Sequence, residues 1–254
     1  MNDLSIIEYK EIDLTNSMLI VAFPTVGLIS SIAGHYIIDT LKLEPLGTII
    51  SNEFMPATVI HKSIPSPPVR IYAGKKKCGP NDKCRNLSII ISEFMPNPTI
   101  IKPLVDEILK WSKEKGCEMI LSFEGMHSLD MIKGKSKIYG VATTPEMKKI
   151  LKNININQTE EGMITGVTGV LLYQGLLLNR DVICLLAQTH ANYPDSRSAA
   201  ILIEKLDKML PEIKIDPEPL YKEANEIEKN IRQALEQAKP TAPIMHQAPY
   251  SMYG

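Results

Sequence analysis

The sequence carries almost no net charge. Its 28 Lys and Arg are offset by 29 Asp and Glu, which leaves −1 with histidine neutral. A balance this close to zero excludes the broad basic field that nucleic acid or an anionic lipid surface attracts, so no nucleic-acid and no membrane partner is expected. Long apolar runs are missing as well. The longest, Val167 to Leu178, is interrupted by Gly and Gln and falls short of the ~20 residues that a spanning helix needs. The opening segment, MNDLSIIEYKEIDL, has no basic stretch leading into an apolar core, so no secretory leader is expected. These absences together point to a soluble, cytoplasmic protein.

Cysteine is scarce. Cys117 and Cys184 sit in apolar, strand-like contexts (KGCEMILSF and VICLLAQ) and read as small buried hydrophobes. Cys78 and Cys84 bracket a polar loop, and their five-residue gap does not fit a zinc knuckle. That pair is compatible with a disulfide closing the loop, chiefly in a thermophilic source, and equally with two free thiols.

Catalytic sets are also lacking. The five histidines (His35, His61, His127, His190 and His246) form no metal-ligand cluster of the HExxH kind, and no Walker loop is present. Phe23 to Gly34 (FPTVGLISSIAG) follows a strand and opens a helix but lacks the GxGxxG spacing, so it reads as a tight strand-to-helix turn. No catalytic residue, metal or cofactor is assigned, and the protein is read as a non-enzyme.

What the sequence does contain is an alternation of strand and helix patterns. Hydrophobic residues make up 44% of its 254 residues, enough for a packed core. Strands are expected at Ser17 to Phe23, Leu46 to Ser51, Ala57 to His61, Val69 to Ala73, Leu87 to Ser92, Met119 to Glu124, Lys137 to Thr143 and Val182 to Gln188. Helices are expected at Thr25 to Leu41, Thr99 to Lys115, Pro145 to Leu151, Gly166 to Leu178 and Ser196 to Leu210. The second of these places Ile100, Leu104, Ile108 and Trp111 on one face, and Gly116 ends it. Val69 to Ala73 and Leu87 to Ser92 flank the cysteine loop and read as a hairpin. Continuous apolar strands separated by helices imply an α/β fold whose central sheet, mixed or mostly parallel, is flanked by helices on both faces.

Three acidic residues fall at strand ends: Glu53 and Glu93 in two copies of EFMP, and Glu124 in FEGM. In an open α/β sheet that edge is where ligands gather. Asp195 reads as the N-cap of the following helix, and Arg197 is placed to pair with one of the glutamates. A small-ligand or enzyme crevice near Glu53, Glu93, Glu124 and Arg197 is the alternative reading. The EFMP copies offer Phe54, Met55, Phe94 and Met95 either to the core or to a contact surface.

The α/β body is expected to span residues 1–210. Prolines 211, 217 and 219 then punctuate the chain before a last helix, Leu220 to Ala238. Leu220, Ala224, Ile227, Ile231, Ala234 and Ala238 recur at heptad spacing, the seam of an assembly helix or of a helix lying on its own domain. Residues 239–254 contain three prolines and no periodicity, a flexible tail that can reach roughly 50 Å when extended.

In order and spacing, these landmarks resemble the proteasome assembly chaperone 2 family in its archaeal form. The landmarks are AFPTVGLISSIAGHYIIDTL, ISEF, FEGM, the glycine-spaced GMITGVTGVLL and YPDSRSAAILIEKLDKML. The resemblance implies a nucleoside-phosphorylase-like sandwich without phosphorolysis, a homo-oligomer, and the proteasome core particle as partner. Met252, Tyr253 and Gly254 match the hydrophobic–Tyr–any ending of proteasome-docking proteins. In that pattern the free carboxylate meets a cation between neighbouring α subunits, the phenol buries its ring, and the last side chain varies.

Overall fold

The computed structural model describes residues 4–61, 63–74, 86–127, 136–189, 193–210 and 214–226. Cys78, Cys84, Ile227, Ile231, Ala234, Ala238 and the terminal Met252, Tyr253 and Gly254 lie outside the described residues. Among those described, no helix is long and apolar enough to cross a membrane.

The strands are β1 (Ser5–Glu8), β2 (Ser17–Ala22), β3 (Glu44–Ile50), β4 (Val59–His61), β5 (Ile64–Ser66), β6 (Val69–Gly74), β7 (Leu87–Ser92), β8 (Cys117–His127), β9 (Ile138–Ala142), β10 (Asn157–Gln158) and β11 (Asp181–Thr189). The helices are α1 (Ile29–Leu41), α2 (Pro98–Glu114), α3 (Pro145–Asn153), α4 (Gly166–Leu177) and α5 (Ser196–Met209), followed by α6 over 218–226. Nine strands form one sheet in the order β1-β3-β6-β7-β2-β8-β11-β9-β10, and β4 and β5 form a separate hairpin. The middle four, β7-β2-β8-β11, are parallel. The flanks β1/β3, β3/β6, β6/β7 and β11/β9 are antiparallel. This is the α/β sandwich that the family resemblance implied, and of the two sheet types the alternating pattern left open it has the mixed one.

The central strands are continuous apolar runs because both sheet faces are covered. All six residues of β2 are buried, and they divide by strand alternation. Met18, Ile20 and Ala22 face a core shared with α1, α3 and α5. Leu19 and Val21 face the opposite core, under α2 and α4. α2 buries Ile100, Leu104, Ile108 and Trp111 as its spacing predicted, while Lys102, Lys110 and Lys113 stay exposed. Gly116 follows α2 at φ 74°, a conformation that disfavours a side chain.

The structure departs from these expectations in several places, among them the start of α1 and the edge strands β1, β5 and β10. The helix expected from Thr25 begins instead as a short 3-10 turn, Val26–Leu28, with Gly27 at φ 67° and Leu28 at φ 52°; α1 starts only at Ile29. β1 was not anticipated. It is an edge strand whose outer residues alternate between exposed and half-buried, so it lacks an apolar run. It is tied to α2 through Glu8, which accepts from Trp111 Nε1 and Lys115 Nζ, both at 2.7 Å. For the last helix two placements were open, and its described start lies on the body. Ile215 and Leu220 join the core under α1 and α5, and Ala224 is buried. Residues 214–226 therefore share the packing of the 1–210 unit.

Candidate functional site

β2, β7, β8 and β11 end on one edge of the sheet, and β3 runs in the same sense, so Glu53, Glu93 and Glu124 lie along that edge. They do not form a single crevice, because each has its own surroundings.

Glu93 closes a clamp. Arg70, on the antiparallel neighbour β6, donates Nη1 to Glu93 Oε2 at 2.8 Å and Nη2 to Oε1. Such two-pronged pairing is the strongest geometry available to an Arg–carboxylate pair. His35 Nε2 of α1 lies 3.0 Å from Oε1. Burial works against the charge on Glu93. The hydrogen bonds from His35 and Arg70, with the guanidinium's charge, outweigh it and hold the carboxyl at about 2. The cation beside Glu93 is thus Arg70 and not Arg197. Arg197 instead donates to Asn225 Oδ1 of α6 at 2.6 Å. Arg70 escaped the sequence reading, yet it left a signal: a lone charge inside the apolar strand VRIYA.

Glu124 is a different kind of group. It lies near the end of β8 at the wall of a cavity of about 700 Å³. Burial raises its carboxyl against the opposing hydrogen bonds from Thr168 and the Gly125 backbone, and it comes to about 7. Gly125 is required where it stands, since a Cβ there would lie 2.1 Å from the Val26 carbonyl oxygen. The 3-10 turn thereby rests directly on β8.

Asp195 caps α5 as expected. Its Oδ1 accepts from the Ser198 amide at 2.9 Å, and its Oδ2 accepts from Thr189 Oγ1 at 2.8 Å and Ser198 Oγ at 2.7 Å. The Asp195 amide donates to the Gly27 carbonyl at 2.9 Å, joining α5 to the turn after β2. The two EFMP copies also meet. Phe54 and Phe94 pack edge to face with centroids 5.4 Å apart, while Met55 and Met95 are 58% and 46% exposed. The phenylalanines join the core and the methionines the surface.

Cys117 and Cys184 are buried free thiols. Burial pushes both away from the reactive thiolate form. Among the described residues, no three His, Cys, Asp or Glu are grouped to hold a metal.

The model of the PAC2 family matches residues 19–235. The chain belongs to the PAC2 family. A relative of this PAC2 protein is an uncharacterized protein of Methanocaldococcus jannaschii, 34% identical over 238 residues and covering 93% of each chain. Among solved structures, Pyrococcus furiosus PbaA, an archaeal homolog of proteasome-assembly chaperone, superimposes with a TM-score of 0.81 at 29% identity, over 92% of both chains. Pyrococcus furiosus PbaB, an archaeal proteasome activator, gives 0.79 at 24% identity, covering 92% of this chain and 100% of that one. The PbaB match speaks for the fold alone. Every landmark that carried the family resemblance falls within or beside the matched span. The clamp, the Glu124 cavity and the Asp195 cap are thus features of a PAC2 body.

Proposed function

We propose that this PAC2 protein is a non-catalytic, homo-oligomeric proteasome-binding protein, an assembly chaperone or an ATP-independent activator. It docks on the α ring of the core particle through Met252-Tyr253-Gly254. The observation that carries this reading is a hydrophobic–Tyr–any ending on a chain whose fold and family match PbaA. Residues 239–254, with three prolines, make a stretch that extends to roughly 50 Å, ample for a tail to reach a partner's pocket. One tail of three contacts binds weakly, and several tails borne by one oligomer gain from high effective concentration.

Two features support self-association. The later seam residues Ile227, Ile231, Ala234 and Ala238 continue the heptad past the two that the body buries. Independently, α4 carries no charged residue, and at its end Leu176, Leu177 and the following Leu178 are 62%, 74% and 58% exposed. Three consecutive exposed leucines form an apolar patch of the kind that marks a contact surface. The stripe carries no charge with which to select a charged partner, which favours a second copy of itself.

The test is co-sedimentation with α subunits, assembled and unassembled, comparing the full chain with one ending at Ser251. The reading expects the full chain to co-sediment and the shortened chain to lose most of that association while remaining folded. Equal co-sedimentation of the two chains would overturn it.

A further inference from the structure

The cavity beside Glu124 has no part in a tail-docking mechanism. Its volume of about 700 Å³ falls within the roughly 300–1,000 Å³ range of small-molecule sites. Strands β8, β9 and β11 form its floor, and α4 and residues 159–165 form its walls. Most of its surface is apolar, with Met126, Val141, Ile164, Leu172 and Leu186 prominent. Residues 159–165 are held in place from two sides. The Thr159 amide donates to the Gly140 carbonyl at 3.0 Å, and a Cβ on Gly169 would lie 2.2 Å from the Ile164 carbonyl oxygen.

The charges around this space are lopsided. Glu124, Glu160 and Glu161 line it against Lys148, with His127 and Tyr173 as the other titratable neighbours and the Cys184 thiol close enough to feel the Glu124 charge. A further polar atom is left over. Thr159 Oγ1 is buried and makes no hydrogen bond, an arrangement that is unfavourable unless something fills the space.

We propose that this cavity is a binding site for a small organic cation, an amine with an apolar body, whose nitrogen is held by the Glu124 carboxylate. The apolar walls take the body of the ligand out of water. Among the described lining residues three carboxylates face one lysine, which disfavours an anion. Among the described residues, the Thr168 hydroxyl is the side-chain donor to Glu124. An arriving ammonium supplies a positive charge, and Glu124 gives up its proton to solvent as the ammonium binds. The proposal is independent of the tail, and a chain ending at Ser251 should bind the same ligand equally well.

The experiment is calorimetric titration of the full chain with phenethylamine, and with phenethyl alcohol as its neutral isostere. Saturable binding of the amine, at least about tenfold tighter than the alcohol, is expected. Because a proton competes for a group titrating at about 7, amine affinity should fall about tenfold from pH 8 to pH 6. Glu124→Gln should remove both the preference for the amine and that pH dependence, and His127→Gln should retain both. Equal affinity for amine and alcohol, an unaltered profile in Glu124→Gln, or no saturable binding of either probe to the wild-type chain would each overturn the assignment.

Discussion

The Tyr221 hydroxyl donates to Glu204 Oε1 at 2.8 Å, and this bond joins the C-terminal segment to the body. A second bond, from the Tyr36 hydroxyl to the Asp216 carbonyl at 2.6 Å, holds the preceding turn against α1. Together with buried Leu220, they hold residues 214–226 against the body.

Loosening the segment should be measurable without unfolding the body. Tyr221→Phe removes one hydrogen bond, a loss of about 0.5–1.5 kcal/mol. Amide exchange within 214–226 should quicken several-fold, while amides of β2 and β8 stay protected. Uniform exchange across the two regions would show that the segment is not a separate anchoring unit.

The clamp gives a prediction with a definite sign in pH. Glu93 is held down at about 2 in the folded protein against 4.5 as its ordinary value. Its contribution is fully present above about 4.5 and is lost as pH falls through about 2. Glu93→Gln should flatten that part of the acid-denaturation curve. It also strands Arg70, whose side chain is 7% exposed. After discounting for a carboxylate that is about one third open to solvent, the expected loss at pH 7 is about 2 kcal/mol. Arg70→Met should be milder, because it leaves a carboxylate that water can reach. Denaturant titrations of the two variants at pH 7 and pH 3 check both statements.

Glu124 predicts the opposite slope. Its carboxyl is raised to about 7, so ionisation disfavours the fold. The protonated form retains full stability at low pH, and the deficit grows as pH rises from about 4.5 through about 7. Glu124→Gln should abolish this trend and gain on the wild type between pH 5 and pH 8. Thermal melts of the ligand-free chains at those two values measure it, and parallel curves would contradict the buried environment assigned to this group.

Much of this architecture was legible in the residues, and what was missed has physical causes. α2 declared itself because Ile100, Leu104, Ile108 and Trp111 share a face. β2, β7 and β11 declared themselves because burial on both faces leaves long apolar runs. β1 and β10 are short edge strands with polar or half-exposed residues, and local periodicity does not mark those. Glu93 was legible as a strand-end acid. Its partner was not, because the pairing of Arg70 with Ile91 across β6 and β7 follows from register, which a lone strand does not encode. The Glu124 cavity depends on where residues 159–165 lie, and that stretch has no hydrophobic period.

The apolar face of α4 carries a further prediction. Leu177→Glu places a charge in the uncharged stripe and should lower the molecular mass seen by light scattering, with the circular dichroism of the body unchanged. A surface leucine change that left the mass unaltered would remove α4 from the proposed self-association.

The central claim is that a phenol and a free carboxylate at the end of this chain hold the proteasome. The most direct measurement is the affinity of the full-length protein for assembled core particle, by surface plasmon resonance, for the wild type against Tyr253→Ala. A buried aromatic anchor of this kind is worth about 2 kcal/mol or more, so the account predicts a loss of at least about 30-fold. An unchanged affinity, with the variant still folded and oligomeric, would contradict it.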